Sequence, residues 1–188
     1  MTAPAVFLVA LALVVGLRLT ELVISSRHAT RLRASGAVEH GAGHYPYLVA
    51  AHVLYYVMLS VEVSFTRSPV DAWTWAALAA LFGPTLAIRI WTMATLGERW
   101  TTRVFVIPGE RVVVRGPYRY LRHPNYAVVL AEIVLFAAAF KAWTTLAVML
   151  PIHVAVLAVR IRAEEAALSG ATDWASALGQ RPRLLGKP

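Results

Sequence analysis

The sequence predicts an all-α integral membrane protein of about five transmembrane helices, the last two forming a helical hairpin. Three observations carry this. The 188 residues are 59% hydrophobic and 15% charged, with mean hydropathy +0.61, where globular chains run at roughly 45–50% apolar and about 25% charged. The apolar residues fall into blocks of about 20, the length a ~30 Å hydrocarbon core requires. The basic residues behind the net charge of +8 gather on one side of those blocks. A disordered chain is excluded by this composition, and a soluble chain of this size could not hide so much apolar surface.

The first block is 4–26, the second 45–65 and the third 70–97. The first is a poor signal peptide, because MTAPA carries no basic residue and no small-residue cleavage site comes after it. The stretch 125–159 is broken by Lys141 and Pro151. A 35-residue helix would overshoot a bilayer, so two helices over about 125–140 and 143–165 fit better, turning near Lys141. Four spans and a re-entrant segment is the alternative. Fourteen of the eighteen Lys and Arg residues fall in the first loop, the third loop and the tail. The positive-inside rule then puts the N-terminus outside and the C-terminus in the cytoplasm, as in a bacterial inner membrane. The charge is accounted for by topology and lipid headgroups, so no nucleic-acid partner is expected; oligomeric state is not legible. Cysteine is absent, which excludes thiolate metal sites, disulfides and a cysteine nucleophile. No His, Asp and Glu set has metal-ligand spacing.

Residues 1–188 read as a single membrane domain, with three spans in 1–97 and the chemistry-bearing strings in 98–188. Within 98–124, RVFVIPGERVVV reads as two extended runs around Pro108-Gly109. Ionisable residues inside spans are costly and usually functional. Arg18 and Glu21 sit at i,i+3 and could neutralise each other. Glu62 could snorkel or meet Arg67, and His52 and His153 read as satisfied interior histidines.

Two strings stand out. In GPYRYLRHPNY, Gly116–Tyr126, Pro124 suits the first turn of a helix. His123, Asn125, Tyr126 and the free N–H groups of that turn then face the cytoplasmic mouth, where an anion is favoured. Tyr118, Tyr120 and Tyr126 could frame a purine, although an interfacial aromatic and basic belt has the same composition. In RIRAEEAAL, Arg160–Leu168, Arg160 and Glu164 are i,i+4 and Arg162 and Glu165 are i,i+3, which alone describes a salt-bridged helix end. A short helix is expected near Trp174–Leu178.

Together RHPNY and the downstream R-x-x-x-E-E-x-x-L resemble the isoprenylcysteine carboxyl methyltransferase family of integral membrane enzymes. The resemblance covers about 80–188, making 98–188 a methyltransferase-like cofactor-binding region. The pieces RLTEL, GAVEHG and HYP of residues 18–46 look like a bacterial branch found beside type III polyketide synthases, which methylates the hydroxyl of long-chain alkylpyrones. The resemblance implies S-adenosylmethionine in a cytoplasmic pocket and a lipophilic or lipidated acceptor arriving from the surrounding membrane lipids. By position, His123, Pro124, Asn125 and Tyr126 match the donor-binding string. Tyr118 matches a donor contact, and Val112, Val113 and Val114 match a stretch that meets the donor through its backbone. Glu164 matches an acid that binds the donor's amino group, and Arg160 a catalytic arginine at the substrate's reacting end. Arg103 falls near a polar donor contact, and Trp174 stands where the family has a tyrosine.

That chemistry suits the residues. Methyl transfer from a sulfonium relies on positioning and electrostatics. A carboxylate or acidic enol needs no strong base, and His123 is the one base on offer. What it needs is a cation to orient it, and arginine is always charged and fork-shaped. The rival readings are a phospholipid N-methyltransferase, an NADPH-dependent lipid reductase and a non-catalytic membrane transporter or scaffold. An amine nucleophile would want an acid or an aromatic cage in place of Arg160, and no internal repeat supports a transporter.

Overall fold

The structure is a computed structural model and describes residues 3–65 and 69–184. Arg67 and Lys187 lie outside the described residues. The long helices are α1 (Ala3–Ala34), α2 (Tyr45–Phe65), α3 (Ala72–Ala80) continued by α4 (Leu86–Leu96), α5 (Pro124–Ala139) and α6 (Trp143–Ala171), with a short α7 (Trp174–Leu178). Four segments are long and apolar enough to cross a membrane: Pro4–Ala34, Ala42–Phe65, Ala72–Arg99 and Trp143–Ala171. At 16 residues, α5 is only ~24 Å long. It nevertheless runs between the same two ends of the bundle as its neighbours. Its first turn meets the C-terminal part of α6, where His123 bonds Glu165. Near its last turn, Phe140 packs edge-on to Phe7 of α1, 5.1 Å between centroids.

Each join has a local cause. Helix α1 runs eight residues past the predicted span, so Arg27, Arg31 and Arg33 lie on helix rather than loop. It stops at Gly36, whose φ of 84° closes a Schellman cap: Gly36 N–H bonds the Arg33 carbonyl at 3.1 Å and Ala37 N–H the Leu32 carbonyl at 2.9 Å. The α5–α6 hairpin closes identically without glycine. Lys141 takes the left-handed position at φ 55°, Lys141 N–H bonds Ala138 O at 3.1 Å and Ala142 N–H bonds Ala137 O at 2.9 Å. Lys141 Nζ also pairs with Asp71 at 2.7 Å. Ala142 offers no side-chain cap to α6. Glu62 at the end of α2 replaces it, accepting Thr144 N–H at 3.0 Å and Thr145 N–H at 2.6 Å. The sequence reading of Glu62 as a snorkelling group or a partner for Arg67 missed this, because the helix end it caps is 82 residues away.

Pro84 explains the break between α3 and α4. It has no N–H to give, the helix widens to a π turn over Leu81–Thr85, and Thr85 Oγ1 donates to the Ala80 carbonyl at 2.8 Å.

The extended runs pair differently from the hairpin expected around Pro108-Gly109. The turn itself is there, with Gly109 at φ 79° and Glu110 N–H bonded to Ile107 O at 3.2 Å. But 111–114 forms no strand. Instead β2 (Val104–Val106) pairs antiparallel with β1 (Val38–His40), Glu39 opposite Phe105. Partner choice between distant three-residue strands is not readable from period-2 patterning.

Mid-bundle, Arg18 and Glu21 are not an isolated pair. Arg18 bonds Glu21 at 2.6 Å and Glu132 at 2.8 Å, while Arg89 bonds Glu132 through Nε at 2.9 Å and reaches Glu21 at 3.3 Å. Two arginines and two glutamates from α1, α4 and α5 thus form a neutral quartet, which is how charge is tolerated at that depth. His52 and His153 stack edge to face, 4.9 Å between centroids, each ring bonding its own helix, at Leu48 O and Met149 O.

Candidate functional site

The end of the bundle that gathers RHPNY and the α6 glutamates holds a cleft of two adjoining lobes. Counting their open mouths, the larger takes in about 780 Å³ and the smaller about 560 Å³. They share walls at Tyr118, Arg122, His123, Glu164 and Leu168. Val112 and Val113 line the larger lobe, with Trp174 and Leu178 of α7. Asn125, Tyr126, Trp100 and Arg103 line the smaller.

Local rules place the floor. Pro124 sits at the first position of α5 and His123 is its N-cap residue, with no side-chain cap. Gly116, at φ 58°, lies so close to Thr95 that a Cβ there would come within 2.3 Å of its hydroxyl, so the loop over α4 demands glycine. The His123 ring stacks on Tyr126, 5.5 Å between centroids, and its Nε2 bonds Glu165 at 3.1 Å.

Helical spacing did not decide the ion pairs. Among the described residues Glu165 pairs with Arg183 at 2.6 Å, His123 at 3.1 Å and Arg122 at 3.4 Å, not with Arg162. Arg160 and Glu164 do not touch. The Tyr126 hydroxyl stands between them, donating to Glu164 and accepting from Arg160 Nε at 3.2 Å. Arg160 also donates to the Thr102 carbonyl at 2.7 Å. It is 2% exposed and lies behind the Tyr126 wall, lining neither lobe.

The other expected residues divide. Tyr118 faces both lobes; burial first, then the charge of Glu164, pushes its hydroxyl far above the usual phenol range, so it stays protonated. Val114 is 41% exposed and Tyr120 64%, and neither lines a lobe. Pro124 is buried and acts through the backbone. Val112 N–H is held by Asp173 at 2.8 Å, so its amide is already engaged. Arg103 bonds Glu39 at 2.6 Å and lies 4.7 Å from the Tyr45 ring centroid; burial works against the Glu39 charge, but Arg103 and Arg33 outweigh it and hold the carboxyl below its ordinary range.

Sequence reasoning missed the tail as a wall. Arg122 N–H and His123 N–H bond the carbonyls of Pro182 and Arg183 at 2.9 and 3.1 Å. Arg122 lies 5.4 Å from the Trp174 ring centroid and donates to Arg181 O and Gly179 O. The one signal in the sequence was Trp174, an apolar ring in an otherwise polar tail. Trp100 and Phe105 also escape a sequence reading, because no motif within 98–124 singles them out.

A helical bundle with exposed apolar faces and a cleft lined by charged and aromatic side chains at one end is the architecture of a membrane-embedded protein with a binding site at that end. Residues 75–170 match the model of the isoprenylcysteine carboxyl methyltransferase (ICMT) family. The chain belongs to that family and is therefore an integral membrane protein of methyltransferase type. It is 34% identical to the uncharacterised protein YpbQ of Bacillus subtilis (strain 168), over 86% of this chain and 96% of that one. It is 31% identical to an uncharacterised protein of Haemophilus influenzae, over 84% of this chain and 92% of that one.

Proposed function

We propose that the protein transfers a methyl group from S-adenosylmethionine to an oxygen of a lipophilic acceptor dissolved in the membrane. The acceptor oxygen is the carboxylate of a prenylcysteine-like lipid or the acidic hydroxyl of an alkylpyrone-like one. The observation that carries the reading is the Arg160–Tyr126–Glu164 chain, in which Glu164 lines both lobes, Tyr126 lines the smaller and Arg160 lies behind it. It joins a group suited to the donor's ammonium with a cation suited to the acceptor's oxygen.

The larger lobe fits the donor. Glu164 offers a carboxylate for an ammonium, Arg111 a guanidinium for a carboxylate, and Trp174, Leu178 and Val113 an apolar wall for a purine. Bound there, S-adenosylmethionine supplies a methyl on a sulfonium sulfur, which an anionic oxygen displaces in line. Glu164 holds the donor end, Tyr126 fixes the spacing between Glu164 and Arg160, and Arg160 orients the acceptor oxygen through that wall. His123, tied to Glu165 through Nε2, positions the loop.

Thirteen described basic residues lie toward the cleft end of the bundle and Lys141 at the other. That supports a cytoplasmic cleft, an outside N-terminus and α5 as a short fifth span. At the N-terminus of α5, His123, Asn125 and Tyr126 line the cleft, where a lipid head could meet a water-soluble donor. The test is calorimetry in detergent with S-adenosylhomocysteine, NADPH and phospholipid headgroups. Binding of S-adenosylhomocysteine alone is expected; binding of NADPH instead would replace this reading with a reductase.

A further inference from the structure

Halfway along the bundle a further crevice lies between α1, α2, α5 and the π turn at Pro84, and it shares no lining residue with either lobe of the cleft. Counting its open mouth, it takes in about 460 Å³. Leu17, Leu81, Phe82 and Val129 make its wall largely apolar, and His52 adds a polar ring. Apolar walls with a few placed polar atoms are the make-up of a ligand pocket. Two charged residues also border it, but they recruit no ion. Arg18 is paired with Glu21 at 2.6 Å and with Glu132 at 2.8 Å, inside the neutral quartet.

His52 supplies the unspent group. Its Nδ1 lies 2.8 Å from the Leu48 carbonyl oxygen. A carbonyl only accepts, so Nδ1 carries the hydrogen. In a ring kept neutral by its depth in the membrane, Nε2 is then a bare acceptor. With Nδ1 turned back to α2, Nε2 is directed away from its own helix. Among the described residues nothing donates to it. The neighbouring rings have no hydrogen to give. His153 stands edge to face with His52, 4.9 Å between centroids, and spends its N–H on the Met149 carbonyl at 2.8 Å. Tyr55 lies 5.8 Å from His153 and spends its O–H on the Ile133 carbonyl at 2.8 Å. The shortage extends to His153 itself, whose Nε2 is buried without a partner. Leaving such acceptors unpaired is costly, so this part of the bundle calls for a hydrogen-bond donor from outside the chain.

We infer that the crevice is a binding site for a neutral lipid alcohol taken from the bilayer. Its hydroxyl donates to His52 Nε2, and its hydrocarbon body lies on the apolar wall. A ketone or ester brings only acceptors, and an anionic head meets no unpaired cation. The alcohol is a bound lipid there and not the methyl acceptor, so the inference does not rest on the methyltransferase reading.

The test is equilibrium binding of tritiated oleyl alcohol to the whole chain in detergent micelles. The competitors are oleyl methyl ether, which keeps the chain and loses the O–H, and oleyl sulfate, which is anionic. His52→Phe keeps a ring against His153 and removes the acceptor. Saturable binding to the wild type is expected, with the ether and the sulfate at least tenfold weaker than the alcohol. In His52→Phe the alcohol should bind no better than the ether does. Labelled S-adenosylmethionine should pass no methyl to oleyl alcohol. An ether that competes as well as the alcohol, a preference for the sulfate, unchanged binding in His52→Phe, or partitioning into micelles without saturation each overturns the inference. Methylation of oleyl alcohol would put it in the cleft and equally overturns it. If His52→Phe does not elute as folded protein, the comparison of alcohol with ether on the wild type decides alone. S-adenosylhomocysteine binding enters none of these outcomes, so the two readings stand or fall separately.

Discussion

The Tyr126 hydroxyl is the most consequential single atom in the cleft, because it is what connects Arg160 to Glu164. Tyr126→Phe keeps the ring on His123 and removes only the connection. Turnover is expected to fall about ten- to a hundredfold, a loss of ~1.4–2.7 kcal/mol of transition-state stabilisation. S-adenosylhomocysteine affinity should move less than threefold by calorimetry; an equal loss of both would make Tyr126 a donor contact only. Glu165 has a different role. It is the common acceptor for Arg183, His123 and Arg122, so Glu165→Gln unpairs three groups that hold the tail against α5. Removing one partner of a buried ion pair costs about 3–5 kcal/mol; Arg183 is partly exposed, so the lower end applies. The expected readout is a drop in the thermal midpoint of several degrees, together with faster proteolysis of the tail.

Among the elements, the α5–α6 hairpin was legible as a break at Lys141, but its mechanism was not. A left-handed lysine is unfavourable by roughly 1–2 kcal/mol, and the pairing with Asp71 at 2.7 Å holds it there. Lys141 first, then the Thr74 backbone, bring the Asp71 carboxyl down to about 2 from its ordinary 3.8. Since the folded value is the lower one, the contribution is complete above the unfolded value and lost as pH falls from about 4 toward 2. Asp71→Asn keeps the cap on α3 but loses the charge. The gap in thermal midpoint between wild type and Asp71→Asn should be constant near pH 6 and close by about pH 2; an unchanged gap at pH 2 refutes the latch. Helix α1 against α4 and α5 poses the opposite case, since the Arg18–Glu21–Arg89–Glu132 quartet is far from water. Glu132→Ala leaves Arg18 and Arg89, the latter with a side chain 3% exposed, to share Glu21, whereas Arg89→Met combined with Glu132→Met leaves Arg18 facing Glu21. The neutral double substitution should yield more folded protein by size-exclusion chromatography than Glu132→Ala.

For the molecule as a whole, hydropathy and charge placed the starts of the long helices to within about two residues but stopped short of the ends of α1 and α6, because both are sums over many side chains and the last turns of these helices are polar. Block boundaries at 45–65 and 143 match the helices α2 and α6, and Trp174–Leu178 forms the expected short helix. Lost were the relations between distant single groups: β1 with β2, Glu62 with Thr144 and Thr145, Tyr126 between Arg160 and Glu164. The i,i+4 and i,i+3 spacings in RIRAEEAAL put charges on shared faces, but Arg160, Glu164 and Glu165 each bond a group on another element. Most of the residues expected at a donor site line the cleft, whatever it binds, because RHPNY is a local device: a proline starts a helix and fixes the direction of the side chains in its first turn. Arg160 sits behind the Tyr126 wall, and only the fold could show it. The role proposed for it is to orient an acceptor rather than to bind the donor. Arg160→Ala, with initial rates at saturating S-adenosylmethionine and S-adenosylhomocysteine affinity measured on one preparation, separates the two. Turnover below about a thousandth of wild type with donor-product affinity within a few-fold is the predicted result. Intact turnover at saturation with weakened donor-product binding would contradict it.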